Sequence, residues 1–349
     1  MKKLNIGIVG TGGMAKIHAT AYMKNPSVKV TGVCSITREL SERFARGDWE
    51  SVAYSEGDME IRPLYAIDDV YEGYREMARD PRIDAVSITT PNALHYEIAL
   101  EMLRNKKHIL VEKPMATNAA DAEALVAEAR RNGVLIATGH MWRYHADVEF
   151  IRHIVQSGML GEIVQTKAYS EHLRWAPGGW FAERAQAGGG ALIDMGVHAI
   201  DTARYILDDP DIKSVYASVG TRFTNAEVDD FGQIMIKHKN GVVSLFETGW
   251  NFPVTSGGEA SAEFWGADGY ARLFPTSATY RINGRWGSFT PDVTEAHMST
   301  MPYQRQIDDF AAAAAGGGEC RVGFEIGLNI MKICDAAYRS SEEDCVVRF

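Results

Sequence analysis

Residues 188–207, GGGALIDMGVHAIDTARYIL, place Asp194 and His198 four positions apart in an otherwise apolar run. On a helix that spacing puts a carboxylate and an imidazole on one face. Two readings stand open. Either the pair is an acid/base couple at the floor of a pocket, or Asp194 complements the positive end of a helix and His198 is a satisfied core histidine. A second candidate lies in HILVEKPMATN (108–118), where Glu112-Lys113-Pro114 closes a buried strand. Open α/β sheets bind ligands beyond that end of their strands, and an ammonium there can donate to a substrate oxygen as hydride moves. A lone lysine at a strand end also reads as a surface residue. Asn118, with Asp121 three residues on, reads as a helix N-cap.

A third signal is IGIVGTGGMAKIHA, with Gly10, Gly12 and Ala15 in G-x-G-x-x-A spacing and Thr11, Gly13 and Met14 between them. The first glycine permits a tight turn, the second lets a pyrophosphate approach the backbone, and the small third residue lets helix and strand pack closely. At the end of the second strand NAD sites carry an acid that accepts both ribose hydroxyls. This chain has CSITRE, with Ser35, Thr37 and Arg38. A hydroxyl and a guanidinium suit a 2′-phosphate, so NADP(H) is favoured over NAD(H) within an NAD(P) site; Arg38 also reads as a solvated first-turn residue. After the third strand, Thr90, Pro91 and Asn92 form a polar edge along which a cofactor would lie, with His95 either joining it or packing its helix.

These groups need elements to position them. Over residues 1–140 short β-branched runs alternate with helix-period segments, which predicts a Rossmann dinucleotide-binding domain built on a doubly wound parallel sheet. Its expected strands are LNIGIVG, VKVTGVCSI, IDAVSIT, HILVE and VLIATG. The polar stretch 46–68 reads as an insertion before a helix at 69–80. Residues 141–349 are expected to form an α+β domain with an open, mostly antiparallel sheet. It opens with a helix at about 145–157, the strand EIVQTKAYSEHL and the Asp194/His198 helix. The strands IKSVYASVGT, FGQIMIKHKNGVVSLFETGW, ASAEFWGADGYARLF and ATYRING follow. Two closing helices complete it and are free to pack back on the first domain; KHKNGVVS is a hairpin signal.

Composition narrows the class. The 36 Lys and Arg against 46 Asp and Glu argue against nucleic acid or an anionic membrane as main partner. Cys34, Cys320, Cys334 and Cys345 are scattered, so neither a disulfide framework nor a metal site is expected, and a reducing cytoplasm fits. No run approaches the ~20 apolar residues of a membrane span.

Together the glycine turn, Glu-Lys-Pro, GHMWRYH and the glycine-rich Asp-x-x-x-His helix resemble the glucose–fructose oxidoreductase, inositol dehydrogenase and rhizopine-catabolism (Gfo/Idh/MocA) family. The resemblance implies an NAD(P)-dependent oxidoreductase that moves a hydride between nicotinamide and a secondary alcohol or ketone of a sugar, cyclitol or related polyol. It implies catalytic roles for Lys113, Asp194 and His198, with Glu112 and Lys113 also near the cofactor. Arg143 and Tyr144 would contact substrate in the cleft between domains. Trp175 joins them, because aromatic faces suit sugar rings. A homo-oligomer, dimer or tetramer, would form through the open sheet. The Lys113–Pro114 peptide is expected to be cis. Two features depart from the family pattern: the acidic ribose reader is absent and the 46–68 stretch is long. Two other functions remain on this scaffold. One is a cofactor-retaining enzyme that oxidises the ring transiently to drive elimination or glycoside cleavage. The other is a non-catalytic NAD(P)-binding regulator.

Overall fold

The computed structural model describes residues 3–52, 58–253, 259–292 and 294–349. Residues 1–144 and 298–331 form one compact unit, and residues 145–297 and 332–349 form a second. The stretch 298–331, part of the closing segment that was expected to be free to pack back, falls in the first unit.

The first unit is built on six parallel strands: β1 (Leu4–Val9), β2 (Val28–Cys34), β3 (Asp69–Val70), β4 (Ala85–Ile88), β5 (His108–Val111) and β6 (Ile136–Thr138). Their order, β3-β2-β1-β4-β5-β6, is the doubly wound Rossmann arrangement. Crossovers run through helices α1 (Gly13–Lys24), α2 (Arg38–Ala45), α3 (Tyr74–Arg79), α4 (His95–Arg104) and α5 (Ala119–Asn132). β4 is buried at every position, as expected of a strand with helices on both faces. α5 starts where its sequence says it should: the Asn118 side chain accepts from the Asp121 N–H at 2.9 Å, and Gly133 ends the helix at φ +66°.

The 46–68 stretch does more than link. Met59, Ile61 and Ile67 are buried in the same core as Ile6, Ile8 and Tyr22, and Arg62 exchanges two backbone hydrogen bonds with the Thr20 hydroxyl of α1. Part of it, 53–57, lies outside the described residues. The helix expected from residue 69 begins at Tyr74, because Gly32 and Val33 of β2 first capture Asp69 and Val70 as β3.

In the second unit α6 (Ala146–Gln156) leads to β7 (Ile163–Leu173), then a short α7 (Arg184–Ala187), a π-turn (Leu192–Gly196) and α8 (Val197–Ile206). β8 (Ile212–Gly220), β9 (Phe231–His238), β10 (Val243–Phe252), β11 (Ala260–Gly266), β12 (Gly269–Leu273), β13 (Ser277–Ile282) and β14 (Arg285–Phe289) follow. The chain closes with α9 (Met301–Ala314), α10 (Glu325–Glu343) and β15 (Val347–Arg348). The nine-stranded sheet runs β14-β13-β12-β11-β7-β10-β9-β8-β15. All neighbours are antiparallel except β7 and β10. β14 and β15 had no sequence expectation: β14 is exposed at all five positions and β15 has only two residues. Along β9 burial alternates strictly, with Gly232, Ile234, Ile236 and His238 inward. α6 and α8 pack against the sheet. α9 contributes Ile307, Phe310 and Ala311 to the core of the first unit.

Candidate active site

In the first unit, Gly10 has φ +102°, and a Cβ there would meet the Thr89 carbonyl oxygen at 2.7 Å. Only glycine meets both demands. Gly12 caps α1 with no side chain bonded to the cap, and Cβ atoms on Gly12 or Gly13 would project into open space. Ala15 is buried where the helix crosses the strand. This cradle fits a pyrophosphate: backbone N–H groups and the positive end of α1 face a space that no side chain fills. Beside it the Thr11 and Ser35 hydroxyls pair at 2.9 Å. Thr37 caps α2 by accepting from the Leu40 N–H. Arg38 is engaged by two carboxylates, Glu42 at 2.8 Å and Glu72.

The Lys113 turn follows β5. Its Lys113–Pro114 peptide is cis. Glu112 turns inward: one carboxylate oxygen accepts from His18 Nε2 at 3.0 Å and the other from the Lys113 N–H at 3.2 Å. Burial alone would push the Glu112 carboxyl up, but His18 and Lys113 outweigh it and hold Glu112 below the usual carboxylate range. His18 Nδ1 in turn meets the Ser87 hydroxyl at 2.6 Å. Ser87, His18 and Glu112 have the order of a nucleophilic triad, yet Ser87 and His18 are fully buried, so no substrate reaches the hydroxyl. His95, read as a candidate for the cofactor edge, is also fully buried. Its Nδ1 lies 2.7 Å from the Pro114 carbonyl oxygen and its Nε2 2.9 Å from that of Thr90. Its ring nitrogens and the Glu112 oxygens are therefore committed inside the protein. Asn92 is buried, and Thr90 and Pro91 are partly exposed at the strand end.

In the second unit, Gly188 ends α7 at φ +79°, and the next two glycines before the Asp194/His198 run answer to Asp229, a residue the sequence did not flag. Its carboxylate accepts from the Gly190 N–H at 2.7 Å, the Leu192 N–H at 2.8 Å and the Tyr338 hydroxyl at 2.7 Å. A Cβ on Gly190 would overlap the Asp229 carbonyl oxygen, and one on Gly189 the Tyr338 hydroxyl. The glycines are there to let this buried acid cap the helix. Burial pushes the Asp229 carboxyl up, with those donors opposing it.

Asp194 then falls in the π-turn, whose last residues shift to an i→i+5 bond from the Val197 N–H to the Leu192 carbonyl. Such turns concentrate at functional sites. Asp194 accepts from the Trp250 indole N–H at 3.1 Å. His172 Nε2 lies 3.8 Å from the same carboxylate oxygen, and its Nδ1 lies 3.7 Å from Glu259. Trp175 is half-exposed with its ring edge-on to His172, centroids 4.4 Å apart. His198 is partly exposed on α8, whose neighbours on both sides are core. Among the described residues no cluster of His, Cys, Asp and Glu could hold a metal.

Profiles of one family match both halves of the chain. The oxidoreductase family with an NAD-binding Rossmann fold covers residues 4–140 and the Gfo/Idh/MocA C-terminal domain covers residues 148–272. The chain belongs to the Gfo/Idh/MocA family. It is an NAD(P)-dependent oxidoreductase. Among its relatives, D-glucoside 3-dehydrogenase of Escherichia coli is 28% identical across 97% of this chain and 95% of its own. The scyllo-inositol 2-dehydrogenase (NADP(+)) of Bacillus subtilis is 26% identical across 81% of this chain and 84% of its own. The fold also matches that of levoglucosan dehydrogenase in complex with NADH and L-sorbose, with TM-score 0.86, 23% identity and coverage of 100% and 99% of the two chains.

Two candidate substrate residues, Arg143 and Tyr144, lie buried beside α9. Tyr144 is buried and donates to Asp309 of α9 at 2.6 Å, with the Arg321 guanidinium over its ring. Burial and the Asp309 carboxylate push its hydroxyl far above the usual range, which removes it as a proton carrier at neutral pH. Arg143 is 2% exposed, and its carbonyl accepts from Arg321. The Tyr144 side chain and the Arg143 carbonyl thus tie the chain after β6 to α9 and to Arg321. Trp250, His172, Asp229 and Tyr338 were missed because they come from strands and a helix distant in sequence. The one local hint was the acid pair Asp229-Asp230 just before β9.

Proposed function

We propose that this oxidoreductase moves a hydride between a nicotinamide cofactor and a secondary alcohol or ketone on a sugar, cyclitol or related polyol ring. One observation carries the reading. A chain matched in both halves by the family carries the Lys113 turn, Asp194 in a π-turn and His198 on the helix that continues it. When bound, NAD(P) supplies the hydride acceptor or donor, held by the Gly10–Ala15 turn, Ser35, Thr37 and the Thr90–Asn92 edge. The chain's own residues manage the proton and the charge. Lys113 donates to the substrate oxygen as negative charge develops there. His198 takes the hydroxyl proton on oxidation and returns it on reduction, the work of an imidazole general acid/base. Asp194, steadied by the Trp250 indole, orients the reacting hydroxyl, and the half-exposed Trp175 ring offers a face for the sugar's C–H bonds.

The cofactor reading favours NADP(H), because Ser35 stands where an acid would repel a 2′-phosphate and Arg38 stands next to it. Arg38 must exchange Glu42 or Glu72 for the phosphate, which limits the gain. Arg38→Ala is expected to weaken NADP(H) binding about tenfold, near 1.5 kcal/mol, and to leave NAD(H) unchanged. Equal losses for both cofactors contradict the preference. The oligomer reading rests on the outer sheet face, where Tyr216, Met235 and Leu245 sit opposite one another across β8, β9 and β10 and are exposed. The same row continues through Lys167, Glu263 and Arg272, so apolar and paired charged groups suit a second copy related by a twofold axis. Met235→Glu with Leu245→Lys is expected to yield monomers by sedimentation.

The test of the function itself is a panel of a D-glucoside, scyllo-inositol and levoglucosan with each cofactor, followed at the nicotinamide absorbance band. Cofactor reduction with at least one ring alcohol supports the reading, and none with any of them opposes it.

A further inference from the structure

Two buried histidines flank the turn that carries Lys113, and the chemistry proposed above uses neither. His18 projects from the second turn of α1, the helix whose N-terminus forms the glycine cradle. Its Nε2 bonds Glu112, whose other oxygen holds the Lys113 N–H. Its far nitrogen meets Ser87 on β4. His95, on the first turn of α4, lies between the Pro114 carbonyl on the other side of the lysine, 2.7 Å from Nδ1, and the Thr90 carbonyl just past β4, 2.9 Å from Nε2; with its one N–H on Nδ1 the neutral ring donates across the shorter contact to Pro114. Gly139 completes the seat, since a Cβ there would lie 2.7 Å from the Glu112 carboxylate. The turn is thus gripped at Glu112 and at Pro114, and the Lys113 side chain between them is only partly buried.

We propose that His18 and His95 are positioning residues that fix the Glu112–Pro114 turn so that Lys113 presents its ammonium in one place, with α1 tying that place to the phosphate-binding turn. This inference rests on Lys113 acting on the substrate oxygen. An ionised Glu112 has to keep a donor on each oxygen to stay buried. His18 satisfies one oxygen from α1, and the Lys113 N–H satisfies the other. Losing His18 therefore frees the carboxylate to swing toward water and release the lysine's amide. A simple packing role would cost stability and leave that amide and the rate per folded molecule alone.

Two measurements on the full chain separate these outcomes. In hydrogen exchange, His18→Leu is expected to speed exchange of the Lys113 amide at least tenfold while peptides of α5 keep wild-type rates; His18→Gln, which keeps a donor for Glu112, is expected to recover most of the protection. With a ring alcohol that the wild type oxidises, His18→Leu and His95→Leu are each expected to lower kcat 10- to 100-fold with KM for the cofactor within about twofold. The same changes in a Lys113→Arg background are expected to lower kcat by less than threefold, because the group being positioned has already been altered. Unchanged Lys113 exchange in His18→Leu, or the same fold-loss in both backgrounds, overturns the proposal. A wild type inactive on every ring alcohol overturns the functional reading instead, and the exchange result then decides the seat on its own.

Discussion

The two units hold their candidate reacting groups in different ways. In the first, Lys113 sits on a turn whose supports are other motif residues or their close neighbours: His18 lies eight positions past Gly10, and His95 three past Asn92. In the second, Asp194 lies in a run that reads like a self-contained helix. Its start is capped by Asp229 from the approach to β9, which Tyr338 of α10 holds in turn, and the Asp194 carboxylate is held by Trp250 from β10. A site built at strand ends inherits order from the sheet. A site built at a helix start must import it, and here glycines make the room for a buried acid.

The comparison would break most visibly at the reacting groups themselves. Lys113→Ala and His198→Ala are each expected to lower kcat by ~10²–10⁴-fold, the scale for losing a positioned donor or acid/base, with cofactor affinity by fluorescence titration nearly unchanged. If His198→Ala keeps the wild-type kcat and pH profile, α8 carries a core histidine and the second unit has no acid/base. The imported support should fail next. Gly190→Ala places a methyl on the Asp229 backbone and is expected to cost about 3 kcal/mol in denaturant unfolding, whereas Gly12→Ala, with open space at its Cβ, is expected to cost under about 1 kcal/mol and to act on cofactor affinity. Equal stability losses would erase the contrast between the two glycine turns.

Smaller effects sharpen it. Tyr144→Phe is expected to lose about 1 kcal/mol of stability through the Asp309 bond while kcat stays within about twofold, separating it from the substrate residues. The smallest effect concerns Glu171 on β7, whose carboxyl is pushed up to about 7 by partial burial and by Glu247 and Glu259. A raised folded-state value means the native protein binds that proton more tightly than the unfolded chain does. Stability from this group is therefore full below the unfolded value and declines as pH rises toward about 7. Glu171→Gln is expected to raise Tm at pH 8 and to change it little at pH 4. A larger gain in acid would contradict the sign.

Much of the first unit was legible because its chemistry is written locally. Gly10, Gly12 and Ala15, the Asn118 cap and the Lys113–Pro114 corner each depend on residues within a few positions. β3 was not, since two residues become a strand only when β2 captures them, and neither was the fate of Met59, Ile61 and Ile67, whose apolar types were hidden in a polar stretch. Asp194 and His198 stood out by residue type and spacing. The surroundings of Asp194 did not, because Trp250 and His172 reach it, and Asp229 caps its run, through sheet pairings and a cap that no local spacing encodes. Tyr144, given a substrate role by the family resemblance, has a long-range partner in Asp309 that no local spacing encodes.

Every role proposed above depends on hydride exchange between nicotinamide and a ring alcohol with Lys113 on the reacting oxygen. The most direct test uses scyllo-inositol, levoglucosan and a D-glucoside, each deuterated at its ring carbinol carbons, with mass spectrometry of the recovered cofactor for wild type and Lys113→Ala. Deuterium in the nicotinamide is expected with at least one of these from the wild type, and at least 100-fold slower transfer from the variant. Sugar consumed with no deuterium in the cofactor, or equal transfer by the two proteins, would contradict it.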